Sequence, residues 1–379
     1  MRTGLVLQEV QHRLRSVLET LFQFIPAGVG SENALPALSR QEVRKVLREG
    51  ARWAVARGFG SETDLHFTEE NGRMEEVDPD AVSEKAVERG RQQLGTLGSG
   101  NHFIEIDYVE EIFDVDAADC FGIFPGEICV FLHSGSRGLG HQVCTDHLEK
   151  MNAAVRKYGL QVPDRQLSCA PIQSTEGNDY YQAMKAASNY AWANRQIMGA
   201  MVERAFCQSL QLSPNSLGCR LVYDISHNIA KKERHQVDGR MRSVMVHRKG
   251  ATRALPAGHE LVPAAYRRAG QPVFVPGDMG TGSYLLVGTP LALEASFGSS
   301  CHGAGRRWSR AQALKHAKGK DLFRVMESMG VQVMAAGKKT VAEEMPGAYK
   351  DLEEVVECAV SAGISRKVAR FRPLGCIKG

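Results

Sequence analysis

Apolar residues recur at helical spacing near the start of the chain. Val10, Leu14, Val17, Leu18, Leu21, Phe22 and Ile25 share one face until Pro26 ends the run. Ser39 followed by Glu42 forms a capping-box signature, which predicts a second packing helix to about residue 56. A stretch with few breakers predicts a long helix over 179–212, and another helix is expected over 309–318. Short apolar runs at 128–132, 220–225, 243–247, 273–275 and 284–287 read as strands. Helices and strands intermix with no internal repeat and no low-complexity linker, so the pattern predicts one mixed α/β domain over residues 1–379.

Composition narrows the class. A chain of 379 residues, 43% hydrophobic, can bury a large core. A formal charge of +4 is too small to diagnose nucleic-acid binding but allows a local basic groove. Nine cysteines without a Cys-x-x-Cys pair, no leader sequence and no apolar run long enough for a bilayer predict a reduced, cytoplasmic protein without membrane contact.

Chemistry concentrates in glycine-rich loops that follow the apolar runs. In Phe297-Gly-Ser-Ser-Cys-His302-Gly-Ala-Gly-Arg306 one imidazole sits among small residues with Arg306 and Arg310 beyond it. There Gly303 and Gly305 allow close backbone approach to an anionic phosphate, and the helix from 309 would offer free N–H groups. Three further imidazoles flank strands: His102 in Gly98-Ser-Gly-Asn101-His102-Phe103-Ile104-Glu105, His133 in His133-Ser-Gly-Ser-Arg137, and His227 in Ser226-His227-Asn228. A single histidine of this kind is usually a hydrogen-bonded structural residue. Several delivered from separate strand ends can build a site for Mn, Fe, Co or Zn. Pro276-Gly277-Asp278-Met279-Gly-Thr-Gly-Ser283 and His247-Arg-Lys249-Gly-Ala-Thr-Arg253 read as anion cradles, with a tight connection and a solvated charge cluster as the plainer alternatives. No Walker motif is present, which argues against a P-loop NTPase. His141, Cys144 and His147 lie three residues apart, but the outer two would be about 9 Å apart along a helix, too far for one metal.

Taken in order, Leu97-Gly-Ser-Gly-Asn-His-Phe, His133-Ser-Gly-Ser-Arg-Gly, Ser226-His-Asn-Ile-Ala, Val246-His-Arg-Lys-Gly-Ala-Thr-Arg-Ala, Pro276-Gly-Asp-Met-Gly-Thr-Gly-Ser-Tyr, Cys301-His-Gly-Ala-Gly-Arg and Arg372-Pro-Leu-Gly-Cys-Ile-Lys378-Gly resemble the RtcB family of RNA ligases. The likeness runs from Arg2 to Gly379 and includes Ile25-Pro-Ala-Gly-Val-Gly and Tyr349-Lys-Asp.

The resemblance implies a central β core flanked by helices and a GTP- and Mn(II)-dependent ligase. Such an enzyme joins RNA 3′-phosphate or 2′,3′-cyclic phosphate ends to 5′-hydroxyl ends. By position in its motif, His302 corresponds to the histidine that takes GMP from GTP. His102, His133 and His227 correspond to manganese ligands. Asn101, His102, Phe103, Ile104, Glu105, His227, Asn228, Pro276, Gly277, Asp278, Met279, Ser283, His302, Gly303, Ala304, Gly305 and Lys378 fall where the family contacts the guanine nucleotide. Arg137, Lys249, Arg253, Arg306 and Arg310 are the weaker candidates for RNA phosphate contacts. Implied partners are RNA, such as tRNA halves or cleaved ends, and an archease-type activator, with the chain a monomer.

Members of the family carry an Asp-x-x-Cys motif upstream of the Arg2-Thr3 position, completing the metal site. None of the nine cysteines here has an aspartate three residues before it. The alternative expectation is therefore a relative that binds guanine nucleotide or RNA without ligating. A metal-dependent phosphodiesterase or phosphatase acting on RNA ends is a third reading, and the sequence favours it less, because hydrolysis alone needs neither GTP nor a nucleophilic His302.

Overall fold

The computed structural model describes residues 1–379, the side chain of Arg165 excepted. Eleven strands form: β1 (Arg2–Val6), β2 (Phe103–Ile112), β3 (Glu127–His133), β4 (Asn228–Val237), β5 (Arg240–Lys249), β6 (Ala251–Arg253), β7 (Pro272–Pro276), β8 (Ser283–Gly288), β9 (Ser299–Cys301), β10 (Gln332–Ala335) and β11 (Ser365–Lys378). Seven of them make the central sheet in the order β1-β3-β2-β11-β8-β7, with β10 on the far side of β11's terminal residues; β4–β5 and β6–β9 pair separately. The mixed α/β reading holds. The long β2 and β11 run antiparallel through the middle, and β10 is parallel to β11.

Strand alternation divides the sheet between two environments. Ile104 and Ile106 of β2, Ile128 and Val130 of β3 and Ile377 of β11 face the helical layer. That layer comprises the helices Leu14–Phe24, Arg40–Glu49, Arg137–Lys157 and Thr175–Leu210. The alternate residues Phe103, Phe131 and Cys376 pack on the opposite side among the shorter C-terminal helices.

The helix of 36 residues at Thr175–Leu210, about 54 Å long at 1.5 Å per residue, is the spine of the helical layer. Tyr190, Trp192, Ala193, Ile197 and Met198 are fully buried, so it is apolar over most of its circumference rather than along one stripe. Two asparagines interrupt that apolar surface. Asn189 accepts from Met74 N at 2.8 Å and donates to Leu47 O at 2.8 Å. Asn194 accepts from Gly95 N at 2.7 Å and donates to Thr96 O, Ser134 Oγ and Gly135 O at 3.1–3.2 Å. A side chain this short meets so many partners only because two loops converge on it.

The differences from the sequence pattern have local causes. The expected helix beyond Ser39 breaks at Gly50, whose φ of 58° turns the chain before a further turn at Ala51–Val55. Ser39 caps Glu42 N, but the Glu42 carboxylate goes to Lys45, Trp53 and Arg57 instead of closing the box. Residues 220–225 are not a strand. They make only isolated bridges, Arg220 to Arg2 and Asp224 to Thr68.

Asn194→Ala strands several buried groups in both loops and is expected to lower stability by about 2 kcal/mol or more. Urea unfolding measures this; an unchanged midpoint would show that the loops do not depend on it.

Candidate active site

The antiparallel register of β2 and β3 sets Phe103 opposite His133. His102, just before β2, therefore lies beside His133 at the end of β3, with ring centroids 5.7 Å apart. His227, just before β4, brings its Nε2 within 3.0 Å of His133 Nε2. His302, just after β9, stacks obliquely on His227 at 4.6 Å between centroids. The four sequence-predicted imidazoles thus form one row, 102–133–227–302.

Their electrostatics follow from burial. His102 is lowered to about 4 by desolvation and by nearby Arg137, and His227 to about 4 by desolvation, then His302 and Arg195. His133 falls well below the ordinary imidazole range through burial and the neighbouring rings; burial also lowers His302. All four are neutral near pH 7, which leaves nitrogen lone pairs for a metal or an electrophile. His102 Nδ1 donates to Leu97 O at 2.9 Å, leaving Nε2 as the free lone pair. His227 Nδ1 and His302 Nδ1 are buried without a hydrogen-bond partner of normal geometry.

The donor set suits a divalent transition metal in part. Two nitrogens 3.0 Å apart would sit at about 90° on one ion at about 2.1 Å from each, as neighbouring ligands do. Among the described residues, however, no three His, Cys, Asp or Glu side chains converge to hold a metal ion. The imidazoles supply a neutral pair with no anionic partner.

Two cavities meet at this row and share Asn101, Phe103, His133, Pro276 and His302. The smaller, about 230 Å³, is lined by Glu105, Gly277, Asp278, Met279, Gly303, Ala304, Gly305 and Lys378 as well. The larger, about 1090 Å³, adds His102, His227, Asn228, Arg137, Lys249 and Cys144. Neither Ile104 nor Ser283 is among the residues that line them. Ile104 points into the helical core, and Ser283 is fully buried with an unpartnered Oγ. Lys378 belongs to β11, is buried, and holds its ammonium 5.1 Å above the Phe103 ring. Across the same register Glu105 is raised to about 8, burial outweighing the attraction of Lys378.

Several expected anion contacts are already engaged. Arg253 is buried against Glu70 at 2.8 Å and Gln271 at 3.1 Å, and Arg248 against Glu233 at 2.6 Å, so only Lys249 of that cluster is free to meet a phosphate. Arg306 pairs with buried Glu344 at 3.0 Å, and half-exposed Arg310 reaches the same carboxylate at 3.3 Å. Ser309 and Gln312 cap one another, occupying N–H groups at the start of Arg310–Ala317. In the 276–283 loop, Asp278 Oδ1 accepts from Gly280 N and Thr281 N, so those amides close a tight connection between β7 and β8. His141 and Cys144 are exposed on their helix while His147 is buried, in keeping with the structural reading.

Sequence reasoning missed the groups that hold the row together. Arg195 donates from Nε to both oxygens of Asp224 at 2.9 Å and from Nη1 to Ser134 O at 3.1 Å. One guanidinium therefore ties the residue after His133 to the residue three before His227. On the other side Glu69 Oε2 accepts from Ser226 N at 2.9 Å, while its Oε1 faces Lys231 at 2.8 Å. The only sequence signal was polar residues placed inside an otherwise apolar helix. Burial raises the Asp224 carboxyl and Arg195 opposes that rise. Arg195→Ala is expected to cost about 3 kcal/mol, and Arg195→Ala with Asp224→Asn less than the two single losses combined. Guanidinium unfolding checks the energies, and the ring NMR signals of His133 and His227 should move; strict additivity with unmoved rings would refute the clamp.

Residues 1–379 match the family model described as tRNA-splicing ligase RtcB. The chain is 51% identical, over all of its length, to the tRNA-splicing ligase RtcB of Methanocaldococcus jannaschii and to that of Archaeoglobus fulgidus, and 50% to that of Pyrococcus abyssi. It spans 39% and 41% of the Methanocaldococcus and Pyrococcus proteins and 78% of the Archaeoglobus protein. With the match covering every residue that lines the two cavities, the chain belongs to the RtcB family.

Proposed function

We propose that this chain joins an RNA 3′-phosphate, or a 2′,3′-cyclic phosphate opened to one, to an RNA 5′-hydroxyl, using GTP and Mn(II), with His302 as the nucleophile. The observation that carries the reading is the position of His302: a neutral, half-buried imidazole where a small glycine-walled cavity meets a large one. A guanine nucleotide in the smaller cavity would present its α-phosphate to His302, and an RNA end in the larger would reach the same atom from the other side.

The steps balance as three transfers at phosphorus. The His302 nitrogen lone pair attacks the α-phosphorus of GTP and pyrophosphate leaves, giving a phosphoramidate. An oxygen of the RNA 3′-phosphate then displaces the imidazole and takes the GMP. The 5′-hydroxyl attacks the activated 3′-phosphorus, GMP leaves, and a phosphodiester forms. Burial keeps His302 deprotonated for the first step. Glycines at 303 and 305 leave room for phosphate oxygens beside it. Lys378 brings a buried cation to the same wall. Of the expected ligands His102, His133 and His227, the close pair His133 and His227 would hold a manganese ion, which when bound would neutralise phosphate charge.

A second reading keeps nucleotide binding without joining. It is favoured by the absence, among the described residues, of three side chains converging on a metal.

Incubation with a 3′-phosphate RNA, a 5′-hydroxyl RNA, GTP and Mn(II) separates them. The proposal expects joined product that requires GTP and disappears in His302→Ala. Product without GTP, or in His302→Ala, would overturn the nucleophile; bound GTP with no product would favour the second reading.

A further inference from the structure

The β4–β5 hairpin carries the chain's positive charge. Between residues 228 and 249 stand Lys231, Lys232, Arg234, Arg240, Arg242, Arg248 and Lys249 against only Glu233 and Asp238, a net of five positive charges. The whole chain has +4, so everything outside this hairpin is net negative by one.

Strand alternation sorts these charges by face. Inward, Lys231 meets Glu69 at 2.8 Å and Glu70 at 2.7 Å. Arg248 is held by Glu233, Ser299 Oγ and Phe297 O, and His235 packs on the Phe297 ring. That face anchors the hairpin to the body and its cations are matched. Outward, the register sets Asn228 opposite Lys249, Ala230 opposite His247, Lys232 opposite Met245 and Arg234 opposite Ser243. Lys232, Arg234, His247 and Lys249 are exposed, and among the described residues none of them forms an ion pair. Elsewhere among the described residues some exposed cations are paired, Arg40 with Glu88 and Arg372 with Glu110, and others, such as Lys315 and Lys320, are not; what sets the hairpin apart is that its unpaired groups share one face.

The outer face is also continuous with the site. Asn228, Ala230, His247 and Lys249, its base, line the large cavity that contains the imidazoles. From Asn228 to Arg234 the strand rises about 20 Å away from His227. A row of unmatched cations leading out of a phosphate-handling cavity, with an exposed imidazole able to stack on a base, complements a single-stranded polyanion.

We propose that the outer face of the β4–β5 hairpin, Lys232, Arg234, His247 and Lys249, is the track for the single-stranded RNA whose 3′ end enters the large cavity. This rests on the reading that an RNA end occupies that cavity. Because the inward face carries the packing, the outward side chains can be changed without loosening the hairpin.

The test uses the full chain and a short fluorescent single-stranded RNA ending in a 3′-phosphate, with affinity measured by anisotropy across a salt series. Lys232→Ala with Arg234→Ala should weaken binding about tenfold and flatten the log–log salt slope by about 0.7 per lost contact. The exchange Lys232→Arg with Arg234→Lys should retain both. Covalent labelling of the protein by α-labelled GTP should be unchanged in all these variants, so a failure of the nucleotide reading would appear there and not in RNA affinity. Unchanged RNA affinity and slope in the double alanine variant would overturn the proposal. So would loss of labelling together with RNA binding, or a loss confined to phosphatidylserine vesicles with RNA binding intact.

Discussion

The ion pair between Arg195 and Asp224 is the contact on which the imidazole row depends. It lies where the long helix passes beneath the central sheet, and the same guanidinium donates to Ser134 O. His133 arrives from a strand of the sheet, whereas His227 arrives from the 220–227 loop, which makes only isolated bridges before it enters β4. Without a rigid connection, a 3.0 Å approach of two neutral nitrogens has nothing to hold it, since each ring loses water and gains at most one weak hydrogen bond. Asn194, one residue earlier on the same helix, fixes the 95–97 loop that carries Leu97 O, the acceptor for His102. Adjacent residues of one helix thus position three of the four rings.

The same economy explains why so many charges near the site are unavailable to ligands. Glu69, Glu70, Lys231 and Arg253 form a buried network whose purpose in the fold is to seat the hairpin and the Ser226 amide. Glu70 is held near 2 although burial pushes it up, because Lys231 and Arg253 more than compensate. Such a network is costly to form and costly to break, and it leaves Lys249 and the outward hairpin cations as the free positive surface.

The local motifs were legible because they are short-range. Glycine-rich turns after apolar runs place His102, His133 and His302 at strand ends, and the 128–132, 243–247, 273–275 and 284–287 runs lie within β3, β5, β7 and β8. What was hidden is non-local. Arg253 reads as a phosphate contact from its spacing, but its partner Glu70 lies 183 residues earlier, so the pairing is invisible in sequence. Asn194 and Arg195 read as part of an unremarkable helix because a helix's partners on all sides appear only after packing. The 220–225 run has strand composition but meets its neighbours only at single positions, Arg220 to Arg2 and Asp224 to Thr68, so it stays irregular. Of the 14 residues of β11 only those from Arg372 onward are legible, as a motif and not as part of a strand whose partners run from Gly288 to Phe103.

The central claim is that the small cavity delivers a guanine nucleotide to His302. Peptide mapping by tandem mass spectrometry, after treatment with GTP and Mn(II) and digestion at neutral or alkaline pH, tests it most directly. The account predicts a GMP adduct on the peptide containing Cys301-His302, with the mass on the histidine and lost on brief acid treatment. A GMP adduct mapped instead to a lysine such as Lys249 or Lys378, an equally acid-labile phosphoramidate told apart by its site, would contradict it, because a different nucleophile would then face the α-phosphate.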